Sequence, residues 1–514
     1  MAPTLCSRCG DAVDERCDPR DELAELDALL ERIKLKRLNL KRKINQLHSP
    51  IVRRLPPDVM STIFEFFLPD FADYKVTMYR TNYYTKEDLS TPLSLGAICS
   101  YWRDIAWSTP SLWSSMVLRV SSKHSSQMVT DIAREWLARS GYLPLSIRIS
   151  SRPKHKALAR VANIINEYST RWSEIDLYMP LRYFQYFHAT DNHAPILKSI
   201  RFFCPENEAS NTLKFQPLNC PRLERACLSF VPLKGTNIQW DNITHLTLHS
   251  MFIIDSLHIL RKTPRLILCK VTGFRSGHRR KNVGAPVVTS LRCLQLRSKT
   301  SANGYLDNIV APRLEEFSLP ERYNPSLGVI MPFLRRSACS LRSFSMAFHD
   351  SSHFEKFMYL FESMNTVSIL SITETASYSE HTSPKDYDLQ NILKLVAKVL
   401  SSQSTFLPNL KILEYTGLGE LLLPAGNLEA LYPLPPTHNA VHGPLHLFKL
   451  DLHPLTRIPK NFISYLSSIV ERGVTVKVLS NSEDILQSSI DYYRRREESL
   501  CRDWADNLDS SLLS

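Results

Sequence analysis

The first residues whose types and spacing could do chemistry are Cys6 and Cys9, in the stretch CSRC, with Cys17 following. A Cys-x-x-Cys is half of a tetrahedral zinc site or a redox dithiol. A closed zinc site needs four ligands. Cys17 offers a third, His48 is the next remote imidazole, and no second Cys-x-x-Cys follows. The competing reading is a flexible, reduced N-terminal segment over 1–19 that holds no metal. His245 and His249, in THLTLH, are four residues apart on a strand-like alternation. They could share a face, yet no third ligand is near in sequence, so they read as core or surface histidines. Cys99, Cys220, Cys227, Cys269, Cys293 and Cys339 fall on apolar patterns, where cysteine acts as a small buried hydrophobe.

No nucleophile is paired with a base. The chain has no HExxH, no GxSxG and no HxE…PCxxC, and neither GxGxxG nor GxxxxGK[ST]. Glycine is scarce, 14 in 514 residues, whereas phosphate-binding turns depend on it. The expectation is no catalytic site, no cofactor, no resident metal, and hence not an enzyme. The formal charge is +12. Its basic clusters, KLKRLNLKRK (34–43), SGHRRK (276–281) and YRRRE (493–497), lack the interleaved aromatics of a base-stacking platform. This argues against nucleic acid as a partner. No run of eighteen apolar residues predicts a membrane span, and the N-terminus has no apolar secretory core. Eleven unevenly placed cysteines fit a reducing compartment, cytoplasmic or nuclear.

The elements that would position these residues begin at 20–48. Leu23, Leu26, Leu30, Ile33, Arg37, Leu40, Ile44 and Leu47 alternate spacings of three and four, the heptad seam of a helix. Acids lie early and bases late, which suits the helix dipole. The seam could pair with a second copy or fold back on its own chain. Ser49-Pro50 ends it. Leu55-Pro56-Pro57-Asp58 then starts another helix. Val59, Ile63, Phe66 and Phe67 fall on one side of it, and Met60 and Phe64 widen the stripe. After a polar, tyrosine-rich excursion at 70–92, the apolar pattern resumes at Leu93, Leu95, Ile98, Cys99 and Trp102. It breaks at Thr109-Pro110 before Ser111-Leu112-Trp113.

LPPDVMSTIFEFFLPD (55–70) followed by LSLGAICSYWRDIAWSTPSLW (93–113) resembles an F-box, and more narrowly the F-box proteins abundant in mushroom-forming fungi. In that family a basic coiled helix often precedes a P(I/L)xxLPxEIL motif, and the box ends in CxxWRxIAxSTPxLW. Asp58 stands where glutamate is usual. The resemblance covers roughly residues 20–118, and the two motifs are specific as a pair. It implies a small helical unit, 50–118, docking on the Skp-family adaptor of a cullin-RING ubiquitin ligase. Carried over by position, the adaptor contacts are Leu55 and Pro56, then Ile63 and Phe64, then Leu95, Ile98, Cys99 and Trp102. The 70–92 insertion departs from the compact family pattern, and Glu87-Asp88-Leu89 is the nearest match to its acidic-Leu pair. Trp107 and Trp113 are expected to tie the box to the repeat solenoid that follows.

From about 140 onward short strand-like pieces recur, among them WSEIDLYM (172–179), WDNITHLTLHS (240–250) and GPLHLFKLDLH (443–453). Leu223, Leu246, Leu266, Leu291, Leu314 and Leu341 are spaced by 23, 20, 25, 23 and 27 residues, close to the roughly 20–29 of a leucine-rich repeat. TPR, APR and LPN before strands repeat a turn, and FEKFMYLFESM (354–364) and LQNILKLVAKVLSSQ (389–403) are candidate returning helices. The predicted fold class is therefore α/β: an N-terminal helix and small helical box, then an irregular leucine-rich-repeat solenoid, a horseshoe, over 130–480. Residues 481–514 form a capping helix or tail. Solenoids present extended surfaces to macromolecules. The expected function is a non-catalytic substrate receptor of a Skp–cullin–F-box ubiquitin ligase, its target bound by the repeats. The alternative is a protein-binding scaffold unrelated to ubiquitination.

Overall fold

The computed structural model describes residues 19–48, 55–68, 91–120, 125–151, 157–205, 215–231, 236–275, 285–297, 302–320, 326–348, 354–374, 388–401, 406–418, 427–435, 445–453, 455 and 457–512. Cys6, Cys9 and Cys17, the insertion up to Ser90 with its Glu87-Asp88-Leu89, and the basic stretch 276–281 lie outside the described residues. The chain divides into two compact units, Met1–Ser173 and Glu174–Ser514. Among the described residues no helix is long and apolar enough to cross a membrane.

In the first unit a helix spans Pro19–His48. Its seam residues Leu23, Leu26, Leu30, Ile33, Leu40 and Ile44 are all exposed. The helix Pro57–Glu65 starts on the proline pair, with Pro56 extended at the cap and Pro57 in the first turn. Helices Thr91–Ile98 and Ser100–Ser108 follow, then a 3₁₀ turn at Pro110–Trp113. Strands β1 (Ser115–Val120) and β2 (Leu145–Ser151) pair in parallel, joined through the helix Ser126–Arg139, which buries Val129, Ala133, Trp136 and Leu137. The helix Ala157–Asn166 comes next.

Tryptophans organise this unit. Trp113 is fully buried, and its indole Nε1 donates to the Ala106 carbonyl at 2.7 Å. Its ring meets Trp107 edge-on at 5.5 Å and Trp136 at 4.9 Å, and the Arg139 guanidinium lies over it at 5.0 Å. Trp107 and Trp113 thus fasten the helical segment to the Ser126–Arg139 helix. Gly96 is where this requires a glycine, since a Cβ there would lie 1.9 Å from the Trp107 ring.

The second unit is built on parallel strands: β3 (Trp172–Tyr178, its first two residues before the boundary), β4 (Ser199–Phe203), β5 (Phe215–Leu218), β6 (Arg225–Ser229), β7 (Thr236–Ile238), β8 (His245–Met251), β9 (Leu268–Phe274), β10 (Val287–Val288), β11 (Cys293–Arg297), β12 (Ile309–Val310), β13 (Glu316–Leu319), β14 (Ser343–Phe348), β15 (Ile369–Glu374), β16 (Ile412–Leu418), β17 (Leu447–His453), β18 (Thr475–Ser480) and β19 (Glu483–Asp484). One large open sheet runs β3-β4-β6-β8-β9-β11-β13-β14-β15-β16-β17-β18-β19, parallel until the antiparallel β18–β19 pair. The pairs β5–β7 and β10–β12 stand apart as small parallel sheets. The returning segments include the helices Ile253–Lys262, Leu327–Ser337, Phe354–Glu362, Asp388–Leu400 and Lys460–Val470, the last contacting both β18 and the C-terminal helix Leu486–Leu512. The architecture is mixed α/β.

A local rule repeats at the start of successive strands. A buried apolar residue sits two positions before the first paired residue: Leu197, Leu223, Ile243, Leu266, Leu291, Leu314, Leu341, Val367, Leu410 and Leu445. Several close a turn by donating to the carbonyl three residues back, as Leu223 does to Cys220, Leu266 to Thr263, Leu314 to Ala311 and Leu410 to Leu407. These are the Pro-Arg and Pro-Asn turns of the sequence, with proline at the position whose φ it fixes. The expected anchor Leu246 lies inside β8, and Ile243 holds the equivalent place. At each step one carbonyl accepts two amides of the next strand's entry, as Glu224 does from Thr244 and His245, and Thr244 from Ile267 and Leu268. Asn242, Ser290, Thr366 and Asn409 add side-chain bonds to the preceding turn, to Pro221, Pro264, Leu341 and Asn365.

Candidate interaction surfaces

In the helical segment the structure separates the sequence-predicted contact residues into three groups. Phe64 and Leu95 are buried within the unit. Leu55, Ile63, Cys99 and Trp102 are half-buried, and Pro56 and Ile98 are exposed. Phe64 and Trp102 meet at 4.9 Å, joining helices Pro57–Glu65 and Ser100–Ser108. The Tyr101 hydroxyl donates to the Leu55 carbonyl at 3.4 Å, bringing the chain before the first helix to the same cluster. Cys99 caps the second helix, its Sγ accepting from the Trp102 amide at 3.4 Å. Ser61 and Thr109 share a hydrogen bond at 2.9 Å, and the Arg103 Nε donates to the Gly96 carbonyl at 2.8 Å.

The apolar stripe of the Pro57–Glu65 helix is rotated from the sequence expectation. Met60 and Phe64 face inward, while Val59 is exposed. Just beyond the helix, Phe66 and Phe67 are 85% and 58% exposed, and Ile98 is 56% exposed. Sequence reasoning put the phenylalanines on the stripe but did not foresee their exposure.

The second surface is the outward face of the large sheet. Side chains alternate along each strand, so one face carries Ile175, Leu177, Ile200, Phe202, Leu246, Leu248, Phe344, Met346, Phe448 and Leu450, all buried. The other carries a polar row in unbroken register: Asp176, Arg201, Cys227, Thr247, Lys270, Gln295, Ser318, Ser345, Ser371, Glu414, Lys449 and Lys477. All are half-buried except the exposed Lys477. Glu414 accepts from Ser371 at 2.8 Å and lies 3.8 Å from Lys449. One position earlier on the strands, Arg225 pairs with Glu174 at 3.0 Å. The sequence signal for this face was the alternation itself, but which strands neighbour one another is a long-range fact.

Burial pushes the Cys227 thiol up to about 12, with Asp176 adding to the rise and Arg201 and Lys270 opposing it. Cys269 is likewise raised to about 12 by burial. Neither forms a thiolate at neutral pH, so neither is an activated nucleophile. His249 is lowered to about 4, chiefly by burial and then by Lys270. His245, on the same strand face, is exposed and shares a 2.9 Å hydrogen bond with Thr244. Among the described residues no group of three His, Cys, Asp or Glu side chains could hold a metal ion. Compared with family models and with curated proteins, the sequence matches none of them.

Proposed function

We propose that this protein is a non-catalytic substrate receptor of a Skp–cullin–F-box ubiquitin ligase, with an F-box-like helical segment and a leucine-rich-repeat-like domain. The observation that carries the reading is the apolar surface left uncovered on a segment with a buried core of its own. Phe66, Phe67, Ile98 and Pro56 lie outside the Met60–Phe64–Leu95 core. Exposed aromatic and aliphatic groups beside half-buried Trp102 are the composition of a protein-binding hot spot. Leu55, Pro56, Ile63, Ile98, Cys99 and Trp102 contact the Skp-family adaptor, and through it cullin. Phe64 and Leu95 act from inside, by holding the two helices in place. The twelve-position polar row of the sheet supports a role for that face in binding the protein target. Catalysis is supplied by the partner enzymes, and this chain contributes proximity. The exposed seam of the Pro19–His48 helix is the surface for self-association with a second copy.

The test is binding of purified adaptor to the full chain, measured by calorimetry, against a Pro56→Ala, Ile98→Ala variant whose circular dichroism matches the parent. Exposed hot-spot residues carry about 1–2 kcal/mol each, so affinity should fall by roughly tenfold or more. A folded parent chain that does not bind the adaptor would leave the scaffold reading in its place.

A further inference from the structure

One corner of the second unit has unmet polar groups that the receptor reading does not use. Ser229, His249 and Thr272 are direct in-register neighbours on β6, β8 and β9, near the carboxyl ends of the strands. Each carries a buried polar atom without a hydrogen-bond partner among the described residues: Ser229 Oγ, His249 Nδ1 and Thr272 Oγ1. Ser229 is 0% and His249 5% exposed. An unsatisfied buried polar atom is costly, and three in one row are rare enough to need a cause.

The backbone departs from regularity at the same place. The residues immediately after this row, Phe230, Ser250 and Gly273, all have left-handed φ, 55°, 50° and 78°. Two of the three are not glycine, so the conformation is held against a steric preference. Three adjacent strands therefore leave their extended course at one level, just past the unpartnered atoms.

The charge nearby selects the occupant. Lys270, on β9 two residues before Thr272, is half-buried and makes no ion pair among the described residues. By register Lys270 stands level with Thr247 and Cys227, on the same face and one row before Ser229, His249 and Thr272, and its charge acts on both His249 and Cys227. An ammonium without a counter-ion beside two hydroxyls and an imidazole is short of one acceptor-rich anion. A bridging water would satisfy hydrogen bonds but would leave the lysine charge unmatched. In parallel sheets ligands collect at the strands' carboxyl ends.

We propose that Ser229, His249, Thr272 and Lys270 form a binding site for one oxyanion, a phosphate or carboxylate group. The two hydroxyls and the imidazole donate to its oxygens and Lys270 balances its charge. The group arrives either as a free small anion or on the side chain of a bound polypeptide. The site stands whether or not the chain binds an adaptor.

The experiment titrates inorganic phosphate into the full-length protein at constant ionic strength, following the His249 ring resonances by NMR. The expected result is a saturable shift that chloride does not produce. Lys270→Gln and the isosteric pair Ser229→Ala, Thr272→Val should each weaken it about tenfold or more, the loss of a charge-assisted bond or of two neutral ones. Lys449→Gln, on the same face but distant in the strand order, should leave it unchanged. Displacement of phosphate by a phosphoserine peptide, and not by its unphosphorylated parent, assigns the group to a polypeptide; failure of both peptides to displace it assigns a free anion. The proposal is overturned if His249 in the parent protein shows no saturable phosphate response. It is equally overturned if Lys449→Gln weakens binding as much as Lys270→Gln does, since the response is then diffuse charge.

Discussion

Replacing Trp113 tests whether the first unit is organised as described. The indole is fully buried, its N–H bonds to the Ala106 carbonyl at 2.7 Å, and its ring touches Trp107 and Trp136 at 5.5 and 4.9 Å. Truncation of such a ring costs about 3–5 kcal/mol in transfer and cavity terms. Trp113→Phe keeps most of the ring and leaves the Ala106 carbonyl without its donor, at about 1–3 kcal/mol. The expected ranking is parent, then Phe lower by about 2 kcal/mol, then Ala lower by about 4 kcal/mol. For a unit of this size the Ala variant should melt roughly 10–15 °C earlier. Tryptophan fluorescence is the assay, because Trp102, Trp107, Trp113, Trp136 and Trp172 all belong to this unit and only Trp240 and Trp504 do not. If Trp113→Ala and Trp113→Phe both melt within a degree or two of the parent, the indole is not the fastening point and the account of Gly96 and Trp107 falls with it.

His249 makes stability depend on pH. Its folded value, about 4, lies below the ordinary 6.5, so the unfolded chain takes up the proton first. The contribution is complete above pH 6.5 and is lost as pH falls from there to about 4. The loss is about 3 kcal/mol, measurable as a fall in urea midpoint that His249→Gln should remove; a variant keeping the full pH dependence would assign it to other groups. The Pro19–His48 helix should place the chain at twice its mass by light scattering, and Leu30→Glu with Ile33→Glu should return it to one. Apart from Arg20, its acids, Asp21, Glu22, Glu25, Asp27 and Glu31, precede its bases, Arg32, Lys34, Lys36, Arg37, Lys41, Arg42 and Lys43, so an antiparallel pair is favoured and should weaken in high salt. A parent chain of single mass at about 10 µM would refute the pairing at a seam of this affinity.

Local chemistry was legible in the sequence, and the facing of elements was not. The Pro56-Pro57 start, the helix over 20–48 and the proline turns before strands follow from backbone rules that act over a few residues. The orientation of the Pro57–Glu65 helix does not, because Val59, Met60, Ile63 and Phe64 make it apolar around more than half its circumference. Only the rest of the unit decides that Met60 and Phe64 turn inward. At β8 the string Ile243, Leu246, Leu248 offers three apolar candidates for one anchor, and the turn closed by Ile243 on Trp240 selects the first. The alternation gave His245 and His249 a common face, yet one is exposed and the other buried. That difference arises beyond the local pattern, near the left-handed residues Phe230, Ser250 and Gly273, which no short motif announces.

The far end of the sheet bears on how the molecule avoids its own copies. A parallel sheet that stops at β18 would offer a row of free backbone groups flanked by Val476 and Val478, a template for another strand. Instead Asn481 and Ser482, with φ of 52° and 70°, turn the chain back in the tight mirror-image geometry that suits right-twisted strands. Leu479 and Ser480 pair with Asp484 and Glu483, whose carboxylates stand exposed on the rim. Two residues of reversed strand thus end the series of parallel pairings and set negative charge where a neighbouring chain would add. Glu483→Val with Asp484→Val would keep the fold and take away that guard.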